Sequence, residues 1–197
     1  MPLDREQLRQ AGVKALQNAE QLIEEAEILY ERERWPRVVF LCQIAGEELG
    51  KCFISLTAIV RIVNGTFEED VYRKRCRTHR SKTGMTDFFE SLVFSEQPLT
   101  EFLEQRKGRI ERFESLKLAS LYTDFVADVP VSPNELIGRE LASGMLLLAQ
   151  NRVKHFGLAV KPLLDRVLLE SLSMEEFSRF EAEHPELLAL VNRRQNL

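Results

Sequence analysis

Histidine and cysteine are scarce in this 197-residue chain, at three each. Cys42, Cys52 and Cys76 are odd in number and contain no CxxC pair, which excludes a disulfide scaffold and a zinc ribbon. Cys42 and Cys52 fall on one predicted helix, about 15 Å apart by its rise, too far for a bridge. There is no HExxH, no paired ExxH, no glycine-rich phosphate loop and no Ser nucleophile elbow, so neither metal nor cofactor is expected. Alternating apolar and polar residues, the mark of a half-buried strand, are also missing. The longest apolar run, 52–60, is bounded by Lys51 and Arg61 and cannot span a bilayer. Neither charge sign dominates: 27 basic against 31 acidic residues leave a net −4, which excludes a globally basic nucleic-acid binder but not a local basic patch. The start, Met1-Pro2-Leu3-Asp4-Arg5-Glu6, is polar at once, so no signal peptide and a reducing cytoplasm are expected.

What is present is helix. Hydrophobic residues make up 44% and charged residues 29%, ordinary for one globular domain of this length. Asp4-Arg5-Glu6-Gln7 reads as a capping box opening a helix to about Glu33, with the mostly small apolar face Leu8, Ala11, Ala15, Ala19, Leu22, Ala26 and Leu29. Trp35-Pro36 turns the chain into a second long helix reaching about Val63, closed by Asn64-Gly65. Thr66-Phe67-Glu68-Glu69 reads as a capping box for a third, very basic helix that Thr83-Gly84 interrupts. A short helix is expected over 87–94 and another over Leu99–Leu121, then an irregular stretch over 124–131. Ser132-Pro133-Asn134-Glu135 caps a helix to about Val160, with Pro162 ending or kinking it. Ser173-Met174-Glu175-Glu176 caps a final pair of short helices. The expectation is an all-α, single-domain antiparallel bundle over 1–197: two long N-terminal helices, further helices, and a C-terminal helical extension, 171–197.

Within the second helix, Val38, Leu41, Cys42, Ala45, Leu49, Cys52, Leu56, Ile59 and Val63 form one apolar stripe. At roughly 100° per residue, Glu48 lies at its edge and Glu47 points away from it. Lys51 stands at the helical pairing distance from both. Two readings of this segment stand, a salt-bridged helix face or a functional polar site. Gly46 and Gly50, each weakening the helix by about 1 kcal/mol relative to Ala, suit the close approach of another backbone or a ligand. Phe40, Ile44 and Ile54, apolar on the remaining circumference, point to a helix wrapped on most sides, or to dimerisation.

The strongest charge concentration is Arg73, Lys74, Arg75, Arg77, His79, Arg80 and Lys82. It reads either as a solvated helix end or as a phosphate-binding surface, since guanidinium suits phosphate. Histidine is the side chain whose ordinary range lies near neutrality, so His79 is a candidate general acid or base, with Lys82 one turn on to stabilise an anion. His155 reads as a packing or surface residue and His184, before Pro185, as part of a turn.

Glu47-Glu48-Leu49-Gly50-Lys51, then His79-Arg80-Ser81-Lys82, then 116–124 (LKLASLYTD) with Ser132-Pro133, resembles the abortive-infection AbiV family. Asn18-Ala19, Leu22-Ile23 and Ala26-Glu27 fit as well, so the resemblance spans roughly 15–155. That family lies in the HEPN superfamily of helical bundles, which are typically dimers and include metal-independent ribonucleases of phage defence and toxin–antitoxin systems. The resemblance implies a homodimer that arrests infected cells by attacking RNA or blocking translation. The HEPN nucleases carry an Arg, four to six residues, then His; Arg73–His79 fits, as does Arg179–His184. On this reading His79 is the general acid or base, Arg73 and Lys82 stabilise charge on phosphorus, and Glu48 orients His79 or Lys51. Glu47, Lys51, Arg77, Lys117, Tyr122 and Asp124 complete a binding pocket. The competing reading is a non-catalytic interaction protein whose polar cluster fixes helix register and which binds a phage or host partner, or an antitoxin.

Overall fold

The computed structural model describes residues 3–94 and 99–164, and the expected helices beyond 170, with Arg179 and His184, lie outside them. Seven helices and one two-stranded hairpin make up the described residues. Helix α1 (Arg5–Glu31) opens on the expected capping box: Asp4 Oδ1 accepts from the Gln7 N–H at 2.7 Å, and Gln7 Oε1 accepts from the Asp4 N–H at 3.0 Å. Its buried face is mostly small or slender (Gly12, Ala15, Ala19, Ala26), so α2 (Trp35–Val63) lies close along it as its antiparallel partner. The turn between them places Glu33 at φ 58°, a left-handed conformation that disfavours a side chain, and Pro36 sits in the first turn of α2.

Helix α2 is the axis of the molecule, packed against every other described helix. Its buried residues lie around the whole circumference, and they include Ile54 at 1% exposure, so that residue is covered within the chain itself. Phe53, Phe89 and Phe156 join α2 to α4 (His79–Phe94) and α7 (Arg139–Leu164), with Phe89 and Phe156 ring centroids 3.8 Å apart. On the other side of α4, Asp87 is buried and takes a two-pronged bond from Arg109 of α5 (Leu99–Ala119), at 2.8 and 3.2 Å. Arg152 of α7 grips Glu90 in the same way and lies over the Phe113 ring at 5.1 Å.

Four element boundaries differ from the sequence expectations. No capping box forms at Thr66. Helix α3 (Glu69–Arg77) starts from Glu68, and the Glu69 carboxylate instead accepts from the Leu3 N–H at 2.9 Å and from Arg73 Nε at 2.7 Å. The basic helix breaks at Thr78 (ψ 117°), not at Thr83-Gly84, and α4 runs unbroken from His79. Gly84 is there for space: a Cβ on it would stand 2.8 Å from the Arg106 guanidinium, which donates to the Gly84 carbonyl at 2.6 Å. The helix expected from Pro133 is split, because Ile137 is extended and buried, leaving a single turn α6 (Pro133–Leu136) before α7, which continues through Pro162 to Leu164. Finally, the irregular stretch contains a small hairpin, β1 (Asp124–Val126) and β2 (Val129–Val131), antiparallel with Val126 opposite Val129. Ala127 and Asp128 both have positive φ (50° and 65°), the geometry of a type I′ turn. Pro130 faces Phe125, one pair beyond the turn, where a missing N–H costs no ladder bond.

Candidate functional site

Gly50 decides where α4 crosses α2. A Cβ on Gly50 would fall 2.0 Å from the Lys82 carbonyl oxygen, so only glycine admits this backbone contact. One turn away Thr86 Oγ1 donates to the Gly46 carbonyl at 2.6 Å. The glycine pair therefore serves the crossing of two helices, Gly50 by its missing side chain and Gly46 through its carbonyl. This contact sets the first turn of α4 against the face of α2 that carries Glu47. Thr78, the extended joint, accepts the Ser81 and Lys82 N–H groups on its carbonyl at 3.1 and 3.2 Å and so starts α4 at His79.

Glu47 is the centre of the site. It is 3% exposed and not, as its angle from the apolar stripe implied, turned to solvent. The angle was measured from one stripe, whereas α4 and α5 cover the opposite side of α2 as well. Its Oε2 accepts from His79 Nδ1 at 2.7 Å and faces Lys82 Nζ at 2.6 Å, and its Oε1 accepts from Lys117 Nζ at 2.7 Å. Burial acts to raise the Glu47 pKa, but the bonds from Lys117, Lys82 and His79 outweigh it and hold the carboxyl below its usual range. Lys117 also donates to Glu114 Oε1 at 3.2 Å, and the buried Ser120 hydroxyl ties off the Lys117 carbonyl at 2.6 Å. Two ammonium groups thus face two carboxylates, and the cluster is neutral with a neutral His79 and positive with a protonated one.

The imidazole differs from its neighbours in exposure. The His79 side chain is 57% exposed against 7% for Lys82 and 9% for Lys117. An ionised carboxylate can only accept, so the Glu47 bond places the ring proton on Nδ1. In the neutral ring Nε2 is then the nitrogen with the free lone pair, on the side of the imidazole away from the buried carboxylate. A buried acid orienting an exposed imidazole is the arrangement that acid–base catalysis needs.

Of the residues singled out from sequence, Glu47, His79, Lys82 and Lys117 come together. Lys82 is buried against Glu47 and does not present its charge to solvent. Glu48 and Lys51 pair with each other beside the cluster, so the carboxylate that reaches His79 is Glu47, not Glu48. Arg73 bonds Glu69 one turn back on α3, and the described hydrogen bonds do not join it to His79. Arg77 is exposed at the end of the same helix. Tyr122 is 60% exposed, and Asp124 caps the Phe125 N–H at 2.8 Å at the start of the hairpin; neither touches the cluster. His155 lies half-buried on α7. Sequence reasoning missed Glu114, although its spacing from Lys117 on one helix face was a visible signal. Among the described residues no group of three His, Cys, Asp or Glu side chains could hold a metal ion. No described helix is long and apolar enough to cross a membrane.

These features define a bundle of helices around one central, buried α2, with a buried carboxylate orienting a histidine at a helix start. A family model for the HEPN AbiV proteins matches residues 7–154, and the chain belongs to that family: it is an abortive-infection-type HEPN protein with an all-α, HEPN-like fold. No curated protein and no solved structure matches it.

Proposed function

We propose that the protein is a metal-independent endoribonuclease acting in phage defence, with His79 as its acid–base residue. The observation that carries this reading is the 2.7 Å bond from the exposed His79 to the buried Glu47. His79 Nε2 takes the proton from a ribose 2′-hydroxyl, the oxygen attacks the adjacent phosphorus, and the P–O5′ bond breaks. The imidazolium returns its proton to the leaving oxygen. The products are a 2′,3′-cyclic phosphate and a 5′-hydroxyl, with atoms and charge in balance. Glu47 stabilises the imidazolium as it forms and keeps the ring in register, while Lys82 and Lys117 hold Glu47. Arg80, exposed and next to His79, takes the role of neutralising the phosphoryl oxygens that sequence reasoning gave to Lys82. Arg73 enters as a cation on the approach to the site and not as a partner of His79.

The burial of Lys82 and Lys117 favours a second reading, in which the network locks α2, α4 and α5 together in a non-catalytic protein that binds a phage or host partner. The two separate on His79→Ala: a nuclease loses cleavage and keeps its melting temperature, whereas an interaction protein shows no metal-free cleavage to lose.

A further inference from the structure

A groove of about 300 Å³ opens between α1, α2 and α3, next to the Glu47 cluster. That volume is at the lower end of the roughly 300–1,000 Å³ range of ligand pockets. Its lining carries Lys51, Arg73 and Arg77 and no carboxylate. Lys51 and Arg73 are ion-paired with Glu48 and Glu69. Arg77 has no hydrogen-bond or ionic partner among the described residues and is exposed. Deeper in, the buried Ser55 hydroxyl lies 3.1 Å from the Tyr72 hydroxyl, which also bonds the Cys76 thiol. Each of these three groups can donate as well as accept. All three are neutral, since burial pushes the Tyr72 pKa up to about 12 and raises that of Cys76, so nothing at the base of the groove repels an anion. Cationic groups outside and a neutral donor within suit a phosphate ester, which guanidinium matches in geometry.

The groove also lies within reach of the reacting histidine. Arg77 precedes His79 by two residues across the extended Thr78, so their Cα atoms are at most about 7 Å apart. Lys82, a partner of Glu47, acts electrostatically on Cys76 in the groove wall. We infer that the α1–α2–α3 groove is a subsite for the phosphate that flanks the scissile one in a single-stranded RNA, held by Arg77, Arg73 and Lys51. The inference rests on the ribonuclease reading for the identity of the strand, and it predicts a requirement that cleavage alone does not show: tight binding needs two consecutive phosphates.

The test is binding of uncleavable 2′-deoxy oligomers to the full chain. A trinucleotide with two phosphates is compared with a dinucleotide with one and with a mononucleotide, across a salt series. The subsite predicts that the second phosphate tightens binding about tenfold, the size of one charged hydrogen bond. Arg77→Ala removes that gain and lowers the salt slope by about 0.7, as for one lost single-strand phosphate contact. Ala11→Phe, which fills the groove and leaves every charge in place, also removes the gain while melting normally. Equal affinity for all three ligands, or a gain that survives both variants, overturns the subsite. Failure of the ribonuclease reading is seen separately, as absence of RNA cleavage by a protein that still binds the trinucleotide.

Discussion

Replacing Glu47 by Gln tests the centre of the structure. The substitution keeps the shape of the side chain and removes its charge, leaving Lys82 and Lys117, both under 10% exposed, without their shared counter-ion. Breaking a buried ion pair from one side costs about 3–5 kcal/mol, because the remaining charge stays desolvated. The Gln amide also turns two N–H groups toward ammonium groups that already need acceptors. At about 2–4 °C per kcal/mol for a chain of this size, the melting temperature falls by roughly 6–20 °C. The exposed Arg80–Glu111 pair is the internal control: Glu111→Gln shifts stability by less than about 1 kcal/mol. The pH dependence follows from the lowered Glu47 pKa. Its stabilising effect is complete above the carboxyl's unfolded value and is lost as the pH falls through the depressed folded one. Wild type therefore loses stability toward acid from this group, and Glu47→Gln flattens that part of the profile. Thermal denaturation followed by circular dichroism between pH 3 and 7 reads both effects. A Glu47→Gln protein melting within about 1 kcal/mol of wild type at pH 7 refutes the claim that this carboxylate holds buried charges in place.

Three further outcomes follow from the packing. Gly50→Ala forces the α2–α4 crossing apart and destabilises by about 1–3 kcal/mol despite the better helix propensity, whereas Gly144→Ala, with nothing within 4 Å of its Cβ, stabilises slightly; chemical denaturation of both variants gives the comparison. Ala127→Asn with Asp128→Gly supplies the residues that a type I′ turn prefers and slows amide exchange of Val126 and Val129, with no change at the Glu47 cluster. Arg152→Met breaks the grip on Glu90 and the contact with Phe113, and lowers stability by about 2–4 kcal/mol, since the Glu90 charge loses its counter-ion in a partly buried setting.

The two long helices were legible because their signals are local: the Asp4–Gln7 box, Pro36, and an unbroken apolar period. The family resemblance was legible partly in these helices and partly at 79–82, 116–124 and 132–133. What sequence could not show were features made by distant partners. Glu47 reads as a solvent-facing acid until α4 and α5 are known to cover its side of α2. Gly84 reads as a helix breaker because nothing in its neighbourhood announces Arg106, 22 residues on. The hairpin escaped because Ala127-Asp128 is a poor sequence for its own turn and Pro130 counts against a strand. His79 was identifiable as the one titratable ring in a basic run, but that Glu47 and not Glu48 is its partner needed the third dimension.

The most direct measurement is cleavage of total bacterial RNA by the purified protein in EDTA, beside its His79→Ala variant, with product ends identified. Wild type is expected to cleave and to leave 2′,3′-cyclic phosphate ends, with a loss of about 10²–10⁴-fold in a variant that melts normally. Equal cleavage by both proteins, or none by a well-folded wild type, contradicts the ribonuclease reading.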